Sequence, residues 1–329
     1  MKRKVFFFVA MVMGMAAWAQ NIAVVSPSNS TNIYNTLDEA ITKADPGSTI
    51  YLPGGGFAIS NATTIDKKLT IMGVSHRGDT DNVDGATIIS GKLQFVGGSS
   101  GSAVVGVYVS GNIDVGTSDA AVENFTLRYC NVNGVNVNNS GCVGMLVNQC
   151  YLRQGFEGGK CNVMIKNCIS GVIRNLNGGT IDHCIIVNGY VPSGGWTNYY
   201  LSYINSSTIT NNFIFNNKFE SIGNCYISNN CIGTGSWGDN PVVAPEGSNL
   251  WDDVFGEGHN KGVTIASDYH VQASWAKGAA SDGTDIGIYG GSSFSDKALA
   301  PIPRIVSKSV DEQSDASGKL TVKVTVKSN

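Results

Sequence analysis

The sequence predicts an all-β chain wound as a single-stranded parallel β-helix, a solenoid with a short capping helix at its N-terminal end. Two observations carry this. A short unit recurs through the middle of the chain: Leu127-Arg-Tyr-Cys130, Val147-Asn-Gln-Cys150, Ile165-Lys-Asn-Cys168, Ile181-Asp-His-Cys184, Ile209-Thr-Asn-Asn212 and Ile227-Ser-Asn-Asn230. Its aliphatic starts lie 20, 18, 16, 28 and 18 residues apart, and a unit this small buries its apolar side chains only by stacking on its neighbours. The pieces inside the unit, such as Phe125-Thr-Leu127 and Val163-Met-Ile165, are short, β-branched or aliphatic, and bounded by Gly and Asn. With 41 glycines and eight prolines, the region sustains no helical period. Residues 49 to about 240 are therefore expected to form roughly nine or ten coils, a rod about 45 Å long at about 4.8 Å per coil.

In chain order, residues 1–19 read as a secretory signal. A basic start (Lys2, Arg3, Lys4) precedes an apolar run from Val5 to Trp18, and Ala17-Trp-Ala19 ends it before Gln20. The run is too short for a transmembrane anchor, and no cysteine stands near the cleavage site to carry a lipid. The expected location is secreted, periplasmic or at the cell surface. Residues 20–48 form an N-terminal cap. In it Thr36-Leu-Asp-Glu39 is a capping box, and Leu37, Ala40, Ile41 and Ala44 make an apolar stripe ending at Asp45-Pro-Gly47. Lying across the first coil, this helix would close the open end of the solenoid. Ser48 to Pro53 is the first core strand. Residues 49–300 hold the β-helix and its closing segment. In 301–329, Lys319 to Val326 alternates as a half-buried strand. Pairing of that strand back onto the rod is expected, with an appendage for attachment or export as the alternative.

The stretch TLDEAITKADPGSTIYLPGG followed by coil-like repeats resembles the N-terminal start of the pectin-lyase-like β-helix superfamily. YHVQASWAKGAASDGTDIGIYGG, residues 269–291, resembles the C-terminal closing segment of secreted β-helix proteins of Bacteroidetes. The resemblance spans nearly the whole chain after the signal and implies right-handed coils and an exported protein. It implies no single activity, because the superfamily holds lyases, hydrolases and adhesins, and fold does not carry function.

Eight cysteines in an exported chain suggest disulfides. However, Cys130, Cys150, Cys168 and Cys184 occupy one position of successive coils, where later coils place Asn212 and Asn230. Stacked Cβ atoms about 4.8 Å apart are too distant for a bridge. A ladder of free thiols at a turn is expected, where an Asn could use the left-handed conformation; Cys142 with Cys161 is the pair to bridge if any does. No CxxC pair occurs and no metal is assigned.

Catalysis on a β-helix would use outward residues of neighbouring coils. The residue after each aliphatic start gives the row Arg128, Asn148, Lys166, Asp182, Thr210, Ser228. Lys166 and Asp182 read as an ion pair, or Lys166 or Arg128 as the general base of a lyase acting on uronic acids. A second row holds Asn136, Glu157, Arg174 and Glu220, so Lys166, Arg174 and Glu157 are the catalytic candidates, and whether they converge in one groove decides between the readings. Glu157 and Glu220 lie three coils apart, about 14 Å, too far for a glycosidase pair. Calcium, which needs clustered acids, finds few in the middle coils. The paired-aspartate, Gly-His-Gly and Trp-x-Asp-His signatures of superfamily enzymes are absent.

The 28-residue spacing contains the loop Gly189 to Tyr203, rich in aromatic residues. Tyr190, Trp196, Tyr199, Tyr200 and Tyr203 could stack on sugar rings with Arg153, Glu157 and Arg174 as polar contacts, or fold down over the coil's own core. A net charge of -3 without a basic stripe gives no footprint for nucleic acid, and no phosphate-cradling or dinucleotide motif occurs. The Arg-Gly-Asp triplet at residues 77–79 reads as a turn. Two function classes follow: an exported β-helix that binds or displays at the surface, with polysaccharide or cell-surface glycan as partner, and a polysaccharide lyase or glycoside hydrolase with an atypical site.

Overall fold

The recurring unit is one rung of a stack. Leu127 pairs with Val147, Val147 with Ile165, Ile165 with Ile181, Ile181 with Ile209 and Ile209 with Ile227, all in parallel register. The computed structural model of the protein describes residues 21–77, 85–187, 199–255, 267–295, 304–310, 313 and 317–327, with 216, 234, 249, 293 and 320 excepted. The expected signal at 1–19, Tyr190, Trp196 and most of the Arg-Gly-Asp triplet lie outside the described residues.

Three stacks of parallel strands build a β-solenoid of about eight turns, against the nine or ten coils expected; the turn from Ile71 to Val104 alone takes 33 residues. The first stack runs from Thr49–Tyr51 through Thr70–Met72, Ala103–Val105, Thr126–Arg128, Met145–Asn148, 163–166, 179–182 and 207–210 to Tyr226–Ser228. The second runs from Gly55–Ala58 to Cys231–Ile232. The third runs from Leu93–Phe95 through Ile113–Val115, 135–137, 155–157 and 172–174 to 201–202 and 219–220. Alternate residues of all three point inward, and Phe95, Leu127, Val147, Phe156, Ile165, Ile173, Ile181 and Ile209 are completely buried there.

The corner between the first and second stacks is built by two adjacent residues. Tyr129, Gln149, Asn167, His183, Asn211 and Asn229 all adopt the left-handed conformation, with φ of 54°, 54°, 48°, 51°, 60° and 54°. The left-handed residue is thus the one before the Cys/Asn position, not that position itself. The turn it makes drives the next side chain inward, and Cys130, Cys150, Cys168, Cys184, Asn212 and Asn230 are all buried.

Inside, thiol and amide do the same work. The single proton of each thiol of Cys130, Cys150, Cys168 and Cys184 is shared between the carbonyl two residues before it, at 3.0–3.3 Å, and that of Val104, Leu127, Val147 or Ile165 one coil back, at 3.5–3.6 Å. Asn212 and Asn230 donate from Nδ2 to Ile181 and Ile209 at 3.0 and 2.7 Å in the same way. Cys168, Asn212 and Asn230 also accept from the coil before them. Cys168 Sγ takes the Cys150 N–H at 3.4 Å, and Asn212 Oδ1 takes the Cys184 N–H at 2.8 Å. All eight cysteines are free, Cys142 and Cys161 included.

At the N-terminal end, Thr36 caps the helix Leu37–Lys43, its hydroxyl accepting from the Glu39 N–H at 3.2 Å. The box is half-formed: Glu39 reaches Lys43 at 2.8 Å rather than back to Thr36. Leu37, Ala40, Ile41 and Ala44 are buried in the main core, as the apolar stripe requires. The open edge of the first stack, however, is met by a strand. Ile22–Val25 pairs antiparallel with Thr49–Tyr51 and is itself covered by Thr31–Tyr34, which satisfies backbone groups that a helix laid across the coil would leave bare.

The last coil is closed by the turn that follows it. Trp237 stacks on Phe219 with ring centroids 4.3 Å apart, and Asp239 exchanges backbone hydrogen bonds with Ile227 and Asn229. The segment expected to close this end, 269–291, instead runs along the side of the rod as a strap. Tyr269, Val271, Ala276, Ile286 and Ile288 pack on Ile169, Ile185, Phe213 and Cys231 to make a second core outside the second stack.

The strap is held by the left-handed corner residues, last coil first. Asn229 donates to Ala279 O at 3.2 Å, and Asn211 Oδ1 accepts from Ser281 N–H at 2.8 Å. His183 Nε2 sits 3.3 Å from Thr284 Oγ1. Asn167 donates to the carbonyls of Ile288 and Gly290 at 2.9 and 2.8 Å, and Gln149 accepts from Ser295 N–H at 3.0 Å. Finally, Val322–Lys327 pairs antiparallel with Arg304–Val310 in a two-stranded sheet of its own. The last strand therefore finds a hairpin partner in the tail and does not pair back on the rod.

Two predictions follow from this packing. Only thiolates alkylate readily, and burial raises Cys142 and pushes Cys161 and Cys231 up to about 12. Iodoacetamide at about pH 8 should label Cys225 at most in the folded protein and all eight cysteines after unfolding, as counted by mass spectrometry. A Cβ at Gly290 would lie 1.9 Å from Asp285 O and 2.3 Å from the His183 ring. Gly290→Ala should therefore cost about 1–3 kcal/mol in denaturant unfolding and open the strap to limited proteolysis.

Candidate functional site

Strand register brings both outward rows into line. On the first stack, Arg128, Asn148, Lys166, Asp182, Thr210 and Ser228 are successive rung partners. On the third, the row reads Gln94, Asp114, Asn136, Glu157, Arg174, Ser202 and Glu220. The catalytic candidates do not converge: Lys166 stands on the first stack, while Glu157 and Arg174 stand on the third.

Lys166 Nζ lies 3.1 Å from Asp182 Oδ2. Asp182 also accepts from Thr210 Oγ1 and Asn211 Nδ2, both at 2.9 Å, and faces His183 Nδ1 at 3.1 Å. Burial alone would raise the Asp182 carboxyl, but the hydrogen bonds from His183, Asn211 and Lys166 outweigh it and hold the group well below the usual carboxylate range. His183 is itself buried between Asp182 and the strap, with Asp282 Oδ2 3.7 Å from its Nε2. This cluster fastens the strap to the rod, a task for which closed, fully partnered groups suffice.

The third-stack row is different in character. Arg174 Nε donates to Glu157 Oε2 and Asn175 Nδ2 to Glu157 Oε1, so one carboxylate organises two neighbours. Farther along, Glu220 hydrogen-bonds the phenol of Tyr203 and thereby pushes it up. Tyr203 sits in the left-handed conformation, φ 54°, which swings its ring out to 49% exposure. Toward the other end, Lys92 pairs with Asp114 at 3.3 Å, and Asn136 donates to the same carboxylate at 2.9 Å. A concavity of about 490 Å³ opens beside them, lined by Gln94, Asp114, Thr117, Ser118 and Asn138 among others.

Two predicted sugar contacts are committed elsewhere. Tyr200 is buried in the main core. The guanidinium of Arg153 donates to Asn131 Oδ1 at 2.5 Å and to the carbonyls of Val109 and Ser110 at 2.9 and 3.0 Å, over the Tyr108 ring. It staples three coils together. Tyr199 is half-buried at the head of the third-stack strand. Tyr203, one of the aromatic residues expected to stack on sugar, and Asn175, which the sequence reading did not single out, complete the row; the corner rhythm that sets both was legible in principle from the residue after each outward polar one.

Among the described residues, no group of three or more His, Cys, Asp or Glu gathers that could hold a metal ion, and no helix is long and apolar enough to cross a membrane. No protein-family model matches the sequence, and no curated protein sequence matches it.

Asp182 makes acid stability a test of the strap. Its folded-state pKa lies below the unfolded value, so its contribution is complete above about pH 4 and is lost as pH falls through the folded value. Asp182→Asn should lower stability at neutral pH and flatten the acid limb of unfolding free energy against pH, measured by urea titration at a series of pH values.

Proposed function

We propose that the chain is an exported member of the pectin-lyase-like right-handed β-helix superfamily that binds carbohydrate along the outer face of its third stack. The observation that carries this is the unbroken row from Gln94 to Glu220, one polar side chain per rung, with a concavity at one end and the outward ring of Tyr203 at the other. A polymer of hydroxylated rings is read by such alternating amides and carboxylates, with an aromatic face to stack on.

A lyase or hydrolase is the less supported reading. Lys166 and Arg174 each stand against a carboxylate, they belong to different stacks, and Glu157 and Glu220 are three rungs apart, about 14 Å.

Affinity electrophoresis through gels containing soluble polysaccharides should retard the folded protein in at least one polymer without degrading it. Tyr203→Ala combined with Glu220→Gln should weaken that retention about tenfold while leaving the circular dichroism spectrum unchanged. Unretarded migration in every polymer would refute carbohydrate binding, and release of unsaturated or reducing ends would favour the enzyme.

A further inference from the structure

The C-terminal hairpin is a two-stranded ribbon with a bare apolar face. Val322, Val324 and Val326 alternate with Lys323, Thr325 and Lys327 along its second strand, and the three valines are 58, 51 and 56% exposed. Register places Val310 opposite Val322 on the same face and Lys308 opposite Val324; a lysine at such a position lays its stem along apolar surface and keeps its ammonium at the rim. A lone two-stranded ribbon is marginal in water and needs an apolar surface to pack on. We infer that this ribbon seats its valine face on the outer face of the first stack of its own chain, over Leu146 and Met164, as a clasp beside the end of the strap.

Two observations choose that seat. The first is chemical. Beside the row of Arg128 and Lys166, the first stack turns a second column outward, Thr126, Leu146, Met164, Thr180, Thr208 and Tyr226, which carries no charge. At its middle Met164 is 44% exposed, and a concavity of about 450 Å³ opens there, lined by Gly144, Leu146, Met164 and Gly179 among others. The second observation is reach. The strap ends at Ser295, whose N–H meets Gln149 Oε1 at 3.0 Å. Gln149 stands three residues beyond Leu146 in the same coil, about 10 Å away. Arg304, where the ribbon starts, is nine residues after Ser295, a span of at most about 30 Å.

The size of the ribbon decides between its own rod and a second copy. Strands of seven and six residues cover roughly 200 Å² of sheet. Docking would then bury roughly 400 Å² over both sides, well short of the ~1,200 Å² typical of a stable complex between separate molecules. A short tether raises the local concentration to the millimolar range, where so small a contact suffices. The contact is side chain on side chain, sheet over sheet at about 10 Å, and it leaves the pairing within the ribbon as it is.

Methionine oxidation reads the contact directly. Beyond residue 19 the chain has three methionines, Met72, Met145 and Met164. Met145 faces inward at 2% exposure and serves as the internal control. The whole chain is treated with dilute hydrogen peroxide, and sulfoxide at each methionine is followed by peptide mass spectrometry. Met164 of the wild-type protein should oxidise at least about fivefold more slowly than in Val322→Lys combined with Val324→Lys, with Met145 alike in both. A ribbon that unfolds in the variant also leaves the seat, so the comparison holds in either case. Equal Met164 rates in the two proteins overturn the inference. Protection that disappears on dilution by about a hundredfold overturns it too, because contact within one chain is independent of concentration. From the other side, Met164→Lys should speed hydrogen exchange of the Val322–Lys327 amides while the Ile165 amide stays protected. Unchanged exchange in the ribbon overturns the seat over Met164.

Discussion

The structure depends on one backbone constraint, a left-handed residue at the same corner of six successive coils. A non-glycine residue there costs on the order of 1 kcal/mol or more, so a sequence repeats it only if the surroundings repay it each time. Two returns are visible. The turn aims the following side chain into the core, where it bonds the coil behind. Its own side chain points out, where Gln149, Asn167, His183, Asn211 and Asn229 hold the strap. The hydroxyl of Tyr129, the first of the series, accepts from the Arg128 guanidinium.

The equivalence of cysteine and asparagine inside the corner follows from geometry. The inward position must offer a donor to the carbonyl one coil back and an acceptor to the N–H of the coil before, in a space sealed from water. An amide does this with short bonds, as Asn212 and Asn230 show. A thiol does it with longer and weaker ones but brings apolar bulk, which suits the middle coils where the neighbours are Leu152, Val163 and Ile173. Unmet backbone groups at this depth would cost about 1–3 kcal/mol each. The column of thiols is therefore a hydrogen-bonding element, and its recurrence reflects the corner, not redox chemistry.

How much of this the sequence discloses depends on the range of the interaction. The rung register, both polar rows and the apolar stripe of the helix are local or periodic, and each reads directly from spacing. Ile22–Val25 looks like any short apolar strand, and only the bare edge of Thr49–Tyr51 determines its antiparallel partner. The strap was recognisable as a segment but not as a lateral one. Its path is set by apolar residues such as Ile169, Ile185 and Phe213 directly after the ladder position, and by partners more than a hundred residues away, as with Asn167 and Ile288. For Tyr200 the sequence leaves sugar contact and core packing both open, because the 28-residue spacing hides the register of the strand Leu201–Thr210 that it precedes. The tail hairpin was half-read, since Arg304–Val310 carries the mixed polarity of an open ribbon and resembles a loop.

The arrangement also ranks the three faces for function. The second stack is covered by the strap over its later coils, from Tyr151 to Cys231. The first is drawn into the same fastening: Asp182 ties Lys166 and Thr210 to His183 and, through Asn211, to Ser281. Loosening any of these groups to engage a ligand would loosen the strap. The third stack bears no such load. Arg174 bonds Glu157, Asn136 bonds Asp114 and Gln94 donates to the carbonyl of Asn61; none of these bonds reaches the strap, so exchanging them for a ligand leaves the strap in place. The binding proposed for this solenoid therefore falls on the face that the strap and its fastening leave uncommitted.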